Sequence, residues 1–162
     1  MKDKLKYSKG VLRIALGWIF LWAFLDKLFG LGFTTESAKS WLNGTSPTGS
    51  FLTFATSGPF SEIFKSLAGN PIIDWLFMLG MLLVGTALIF GIASRLATIG
   101  GSLMMILLYL AVLPPEHNPL IDEHIVYILV LFILYISDAY ASLGLSNKWQ
   151  KCKLVKKYPI LK

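Results

Sequence analysis

The sequence predicts an all-α integral membrane protein, a four-helix bundle with both chain ends on the cytoplasmic side of the cell membrane. Three observations carry this expectation. Of 162 residues, 55% are hydrophobic and only 15% charged, against about 25% charged in a soluble domain. The apolar residues fall in four long runs, and in lipid only helices and closed barrels satisfy their own backbone polar groups. The lysines and arginines gather at the chain ends and in one short loop, as cytoplasmic flanks do. A net charge of +6 can also point to nucleic acid. Lysines placed beside apolar runs serve the membrane surface instead, so no nucleic-acid partner is expected.

The chain divides into a basic N-terminus (1–10), a four-span domain (11–145) and a basic tail (146–162). The first run, 11–29, carries Arg13 near its start and Asp26-Lys27 near its end. At 1.5 Å per residue it extends roughly 28 Å, close to the thickness of a bilayer core. A cleaved signal peptide is the rival reading, since Gly30-Leu31-Gly32 resembles a small-residue cleavage site. The run is longer and richer in Trp and Phe than a signal core. The second and third spans are placed at 72–92 and 96–113, joined tightly through Ala93-Ser94-Arg95, with Pro114-Pro115 ending the third. The fourth is placed at 121–143, with Gly144 as its stop.

With four spans, Lys2, Lys4, Lys6, Lys9, Arg13, Arg95 and the six tail lysines fall on one side, and only Lys27, Lys39 and Lys65 on the other. The richer side is cytoplasmic by the positive-inside rule. The opposite rim is acidic. There the loop 30–71 is expected to cap the mouth of the bundle. It holds a short helix around Ala38, Trp41 and Leu42 ended by Asn43-Gly44, and a second opened by Gly58-Pro59 and closed by Gly69. Phe60, Ile63, Phe64 and Leu67 form the apolar face of the second, as in a helix that lies at an interface or folds back on the bundle. Asn43-Gly44-Thr45 matches a glycosylation sequon, a common chance match.

Small residues, namely Gly80, Gly85, Ala87 and Gly91 on the second span and Ala97, Gly100 and Gly101 on the third, are read as packing surfaces and as a possible homodimer face. Ionisable groups at membrane depth are functional candidates. Near the inner face these are Arg13, Arg95 and Asp138, with Asp138 available to pair with either arginine or the group serving only structure.

The outer end is richer. Trp18, Trp22 and Asp26 recur every four residues and form one stripe. His124, Tyr127, Leu131, Tyr135 and Asp138 share a face of the fourth span. Asp74-Trp75 opens the second, Tyr109 lies near the end of the third, and His117, Asn118 and Asp122 precede the fourth. Acids or imidazoles beside aromatic rings suit a quinone head group, whose carbonyls need donors, whose ring needs flat walls and whose reduction needs protons. Asp26, Asp74 and His124 are the candidate catalytic proton carriers. Trp22, Trp75, Tyr127 and Asp122 are the candidate quinone-binding residues. The bland rival is an interfacial aromatic belt with carboxylates facing water. No metal site is expected, because His117 and His124 are seven apart with a proline between them. No haem, iron–sulfur or flavin motif is present, and the single cysteine, Cys152, forms no internal disulfide.

The segments Leu12 to Gly30, Asn118 to Tyr127 and Asp74 to Arg95 resemble the DoxX family, and the likeness runs from about Val11 to Leu145. The resemblance implies a four-helix membrane protein. In its DoxD branch it implies the large membrane subunit of a thiosulfate:quinone oxidoreductase, which requires a smaller DoxA-like partner absent from this chain. It carries over no catalytic residues. A carrier of sulfur oxyanions or lipids, or a structural assembly subunit, are the alternatives of other classes. The acidic outer rim argues against direct capture of anions from outside.

Overall fold

Every regular element in the structure, a computed structural model describing residues 2–116, 118 and 120–162, is helical. The helices are α1 (Lys2–Phe29), α2 (Ser61–Ser66), α3 (Pro71–Phe90), α4 (Ser94–Ala111), α5 (Glu123–Ile136), α6 (Ser146–Trp149) and α7 (Lys153–Lys157). Short 3-10 and π turns join them. His117 and Pro119, which belong to the expected outer cluster and to the family-like turn, lie outside the described residues.

Two of these helices, α3 and α4, are long and apolar enough to cross a membrane. Both match the expected spans within two residues. Local chemistry explains the bounds of α3. Asn70 accepts from the Ile72 N–H, Pro71 takes the first turn, where a missing N–H costs nothing, and Gly91 closes the helix at φ +66°. The first helix differs from expectation. It begins at Lys2 and absorbs residues 2–10 of the basic segment, which contain no breaker before Gly10.

The fourth span is corrected. A continuous helix over 121–143 was expected, whereas α5 has 14 residues. At 1.5 Å each these reach about 21 Å, short of a bilayer core. The chain then turns at Asp138 (φ +54°) and makes a 3-10 turn over Ala139–Ala141. The face expected on this helix is also redrawn. Leu131 and Leu134 are buried, Tyr127 is partly buried against the core, and Tyr135 and Asp138 point outward.

α1 lies along α3, α3 packs on α4, α4 on α5, and α1 touches α5. Leu16, Phe20, Val84, Leu88, Leu131 and Leu134 build the shared core. α1 and α3 meet glycine on glycine. A Cβ added at Gly17 would stand 2.9 Å from the Ile89 nitrogen and 3.0 Å from the Gly85 carbonyl, and one at Gly85 would stand 2.7 Å from the Leu21 nitrogen. Gly101 meets Leu131 and Val84, and Gly91 meets Tyr140 and Gly144. These small residues thus serve contacts within the chain. The faces turned away are apolar: Leu76, Leu79 and Leu83 on α3, Ile99, Leu103 and Ile106 on α4, and Leu129, Phe132 and Ile133 on α5 are all exposed.

Arg13 is the second correction. The ion pair that Asp138 was available to make with Arg13 is absent, and Asp138 is exposed. Arg13 is fully buried and gives all five of its N–H groups to carbonyls. Nε donates to Ala139 (3.2 Å), Nη1 to Leu88 and to Ile89 (3.0 Å), and Nη2 to Ser142 (2.9 Å) and Leu143 (3.0 Å). The Leu88 and Ile89 carbonyls end α3, where the helix dipole is negative. The other three belong to the irregular turn after α5. Arg13 therefore staples the end of α3 to the broken fourth segment and supplies donors to the Ser142 and Leu143 carbonyls of its turn.

The long loop folds back on the helix ends, as expected. The Ser57 N–H donates to the Ala111 carbonyl at 2.9 Å. Gly58 (φ +68°) lies so close to the Leu113 carbonyl that no side chain fits there. Its two expected short helices appear as 3-10 turns over Ser37–Lys39 and Trp41–Asn43, and as Gly58–Phe60 leading into α2.

Candidate functional site

Asp26 sits in the last turn of α1 and is 1% exposed. The chain reverses through Gly30 and Gly32, both at positive φ, and returns over it. One carboxylate oxygen accepts from the Thr34 N–H (2.9 Å) and the Thr34 hydroxyl (2.7 Å), and the other from the Phe33 N–H (3.2 Å). This return lays Phe33 edge-on against Trp22 at 5.1 Å, and Trp22 stands 5.5 Å from Trp18. The result is an open groove of about 480 Å³ walled by Trp18, Ile19, Trp22 and Phe33, with Asp26 and Thr34 as its polar lining. The tryptophan stripe was readable from four-residue spacing. Phe33 and Thr34 were missed, because only the turn at Gly30–Gly32 brings them back.

Asp74 opens α3 and anchors another stretch of the same loop. One of its oxygens accepts from the Ser46 hydroxyl (2.8 Å), the Thr48 hydroxyl (2.6 Å) and the Thr48 N–H (3.3 Å). Trp75 meets Trp41 edge-on at 4.6 Å.

Asp122 and His124 form a third arrangement. Asp122 caps α5 by accepting from the His124 N–H (3.0 Å) and the Ile125 N–H (3.3 Å). Its second oxygen lies 2.7 Å from His124 Nδ1. Asp122 stands in the turn ahead of α5. Burial pushes its carboxyl up, but the His124 ring and the backbone donors of Ile125 and His124 outweigh that and hold it below the usual carboxylate range. A carboxylate on Nδ1 favours the tautomer with its proton there, which leaves Nε2 as a proton acceptor. The pair lines a second groove of about 590 Å³ together with Phe51, Glu116 and Glu123.

The seven candidate catalytic and quinone-binding residues are thus divided. Asp26 and Trp22 share the first groove, Asp122 and His124 the second, and the two grooves share no lining residue. Asp74 and Trp75 hold the loop, and Tyr127 packs on the core. Tyr109 donates to the Leu120 carbonyl at 2.8 Å and so fastens the turn before α5. Among the described residues, no three His, Cys, Asp or Glu side chains gather as metal ligands.

Compared with protein-family models, curated proteins and solved structures, the chain matches none. The functional reading therefore rests on the grooves. The first has the character of a small-molecule site: a concave, mostly apolar surface, aromatic walls and few polar groups. Rings that lie flat on or edge-on to Trp and Phe gain about 0.5–1.5 kcal/mol beyond burial.

Proposed function

We propose that this chain is a four-segment protein of the cell membrane, with both termini cytoplasmic, serving as the membrane subunit of a quinone-linked oxidoreductase. The observation that supports this best is the Trp18–Trp22–Phe33 groove beside the buried Asp26 carboxylate and the exposed Thr34 that it holds. A quinone ring lies against Trp22, its isoprenoid tail runs along the outward apolar face of α1, and the Thr34 hydroxyl oxygen, whose own proton is given to Asp26, accepts from an O–H of the reduced ring. Asp26 fixes Thr34 and is the nearest group able to exchange a proton with it. The Asp122–His124 pair, in its more polar groove, serves proton exchange with water. The fourth segment crosses as α5 plus the turn stapled by Arg13, since irregular backbone persists in lipid only where its polar groups are satisfied.

The electrons come from a partner subunit. The DoxD-like resemblance makes that partner DoxA-like and the donor thiosulfate. Asp74 acts in this reading as a loop anchor.

Equilibrium binding of a short-chain quinone to the protein in nanodiscs tests the reading. Binding is expected to saturate, and Trp22→Leu to weaken it at least tenfold, about 1.4 kcal/mol. Trp75→Leu, in the other aromatic pair, is expected to leave it unchanged. Absence of saturable binding by folded protein favours a second reading, a non-catalytic assembly subunit. That reading has its own support: the carboxylates of Asp26 and Asp74 are both occupied by loop hydrogen bonds.

A further inference from the structure

The C-terminal segment is folded against the helix ends. The Leu145 N–H donates to the Phe90 carbonyl at 2.8 Å, and the Arg95 N–H, in the first turn of α4, donates to the Lys162 carbonyl at 3.0 Å. Trp149 Nε1 donates to the Leu161 carbonyl at 2.6 Å, and Val155 of α7 is fully buried. The segment is therefore fixed at the turn between α3 and α4, the two helices able to cross a membrane. The first turns of α1 reach the same end: the Ser142 hydroxyl donates to the Lys6 carbonyl at 2.7 Å and Lys9 Nζ to the Ser137 carbonyl at 2.8 Å.

With Val155 turned inward, Lys148, Lys151, Lys153, Lys156, Lys157 and Lys162 are all exposed. No acidic residue follows Asp138 in the sequence. Between these lysines Leu154, Tyr158 and Ile160 are exposed as well. Lysines on a solvated face ordinarily stand among polar neighbours. In this tail, large apolar side chains alternate with them on a segment held beside the membrane-capable helices. That combination matches a lipid interface, where cations meet phosphates and apolar side chains enter the acyl boundary.

We infer that the folded tail is a docking surface for anionic phospholipid headgroups of the protein's own membrane, with Lys153, Lys156 and Lys157 meeting phosphates and Leu154, Tyr158 and Ile160 inserting between lipids. Charge complementarity and position select this occupant. A lipid surface lies against the α3–α4 turn if these helices span, so the inference rests on the membrane reading but not on the quinone. The contact anchors the tail, and through the Lys162–Arg95 bond it steadies the start of α4.

The test compares the full chain in nanodiscs of phosphatidylcholine alone and of phosphatidylcholine with phosphatidylglycerol. Native mass spectrometry counts the retained anionic lipids, and thermal unfolding gives the stability. Phosphatidylglycerol is expected to be retained and to raise the Tm. The triple variant K153Q/K156Q/K157Q is expected to lower its affinity at least tenfold, while replacement of the same lysines by arginine preserves it. Raised salt should weaken the effect, because exposed charges are screened. Equal Tm in both lipids, or a triple variant that retains phosphatidylglycerol as the wild type does, overturns the inference. A Tm gain reproduced by inorganic phosphate in neutral nanodiscs also overturns it, by showing a free-anion site. A chain that fails to enter neutral nanodiscs overturns the membrane reading and this inference together.

Discussion

Replacing Arg13 by methionine is expected to destabilise the protein by about 2–5 kcal/mol, because several buried backbone acceptors lose their donor at once. Methionine fills similar volume but offers no donor. It leaves the Leu88, Ile89, Ala139, Ser142 and Leu143 carbonyls without the guanidinium that now serves them. The Leu88 and Ala139 carbonyls keep the Gly91 and Ser142 N–H groups; each of the others, left open, costs about 1–3 kcal/mol, discounted where the turn can relax toward water. Arg13→Lys should fall between the two, because an ammonium has three donors and no fork. Arg95→Met should change little, since Arg95 is exposed. Thermal unfolding in detergent or nanodiscs checks the series. The order wild type, Lys, Met is the expected one. A methionine variant as stable as wild type would mean that the turn after α5 holds itself.

Gly85→Ala is expected to destabilise by about 1–3 kcal/mol, the usual cost of forcing extra volume into a packed site. Glycine to alanine inside a helix ordinarily stabilises by roughly 0.5–1 kcal/mol. At Gly85 the new methyl would stand 2.7 Å from the Leu21 nitrogen and 3.1 Å from the Gly17 carbonyl. Both are backbone atoms of α1, so the helix pair must separate. Gly100→Ala is the contrast, since its methyl would meet only a Val84 methyl at 3.6 Å, an ordinary contact. That substitution should be neutral or stabilising. Opposite signs for the two alanines, measured under one condition, would establish the α1–α3 glycine contact.

The legible parts of the fold were those written in short-range patterns. Runs of apolar residues bounded by Asn70-Pro71, Gly91 and Pro114 located α3 and α4, because capping and helix breaking are local effects. The fold-back of the loop was legible from its apolar content. The fourth segment was not. Its composition stays apolar from Ile125 to Ile136 and on past Ala139, so hydropathy alone extends the helix. The break at Asp138 depends on Arg13, more than a hundred residues earlier, which supplies the turn's carbonyls with donors.

The candidate site divides in the same way. Trp18, Trp22 and Asp26 lie on one helical stripe that spacing alone reveals. Their partners Phe33 and Thr34 arrive through a reversal at two glycines of positive φ, and no periodicity encodes it. Nor did spacing separate His124 from Asp26. Both lie near the loop end of their helices, yet they open into different grooves, and only tertiary packing assigns each to its own.

The most direct test of the proposed function is photolabelling. A quinone carrying an azido group on its ring would be added to the protein in nanodiscs and illuminated, and the labelled peptide sequenced by mass spectrometry. A ring seated against Trp22 leaves its adduct between Trp18 and Thr34, competed away by unmodified quinone and lost in Trp22→Leu. Labelling confined to the residues around His124, or scattered over the outward faces without competition, would contradict it.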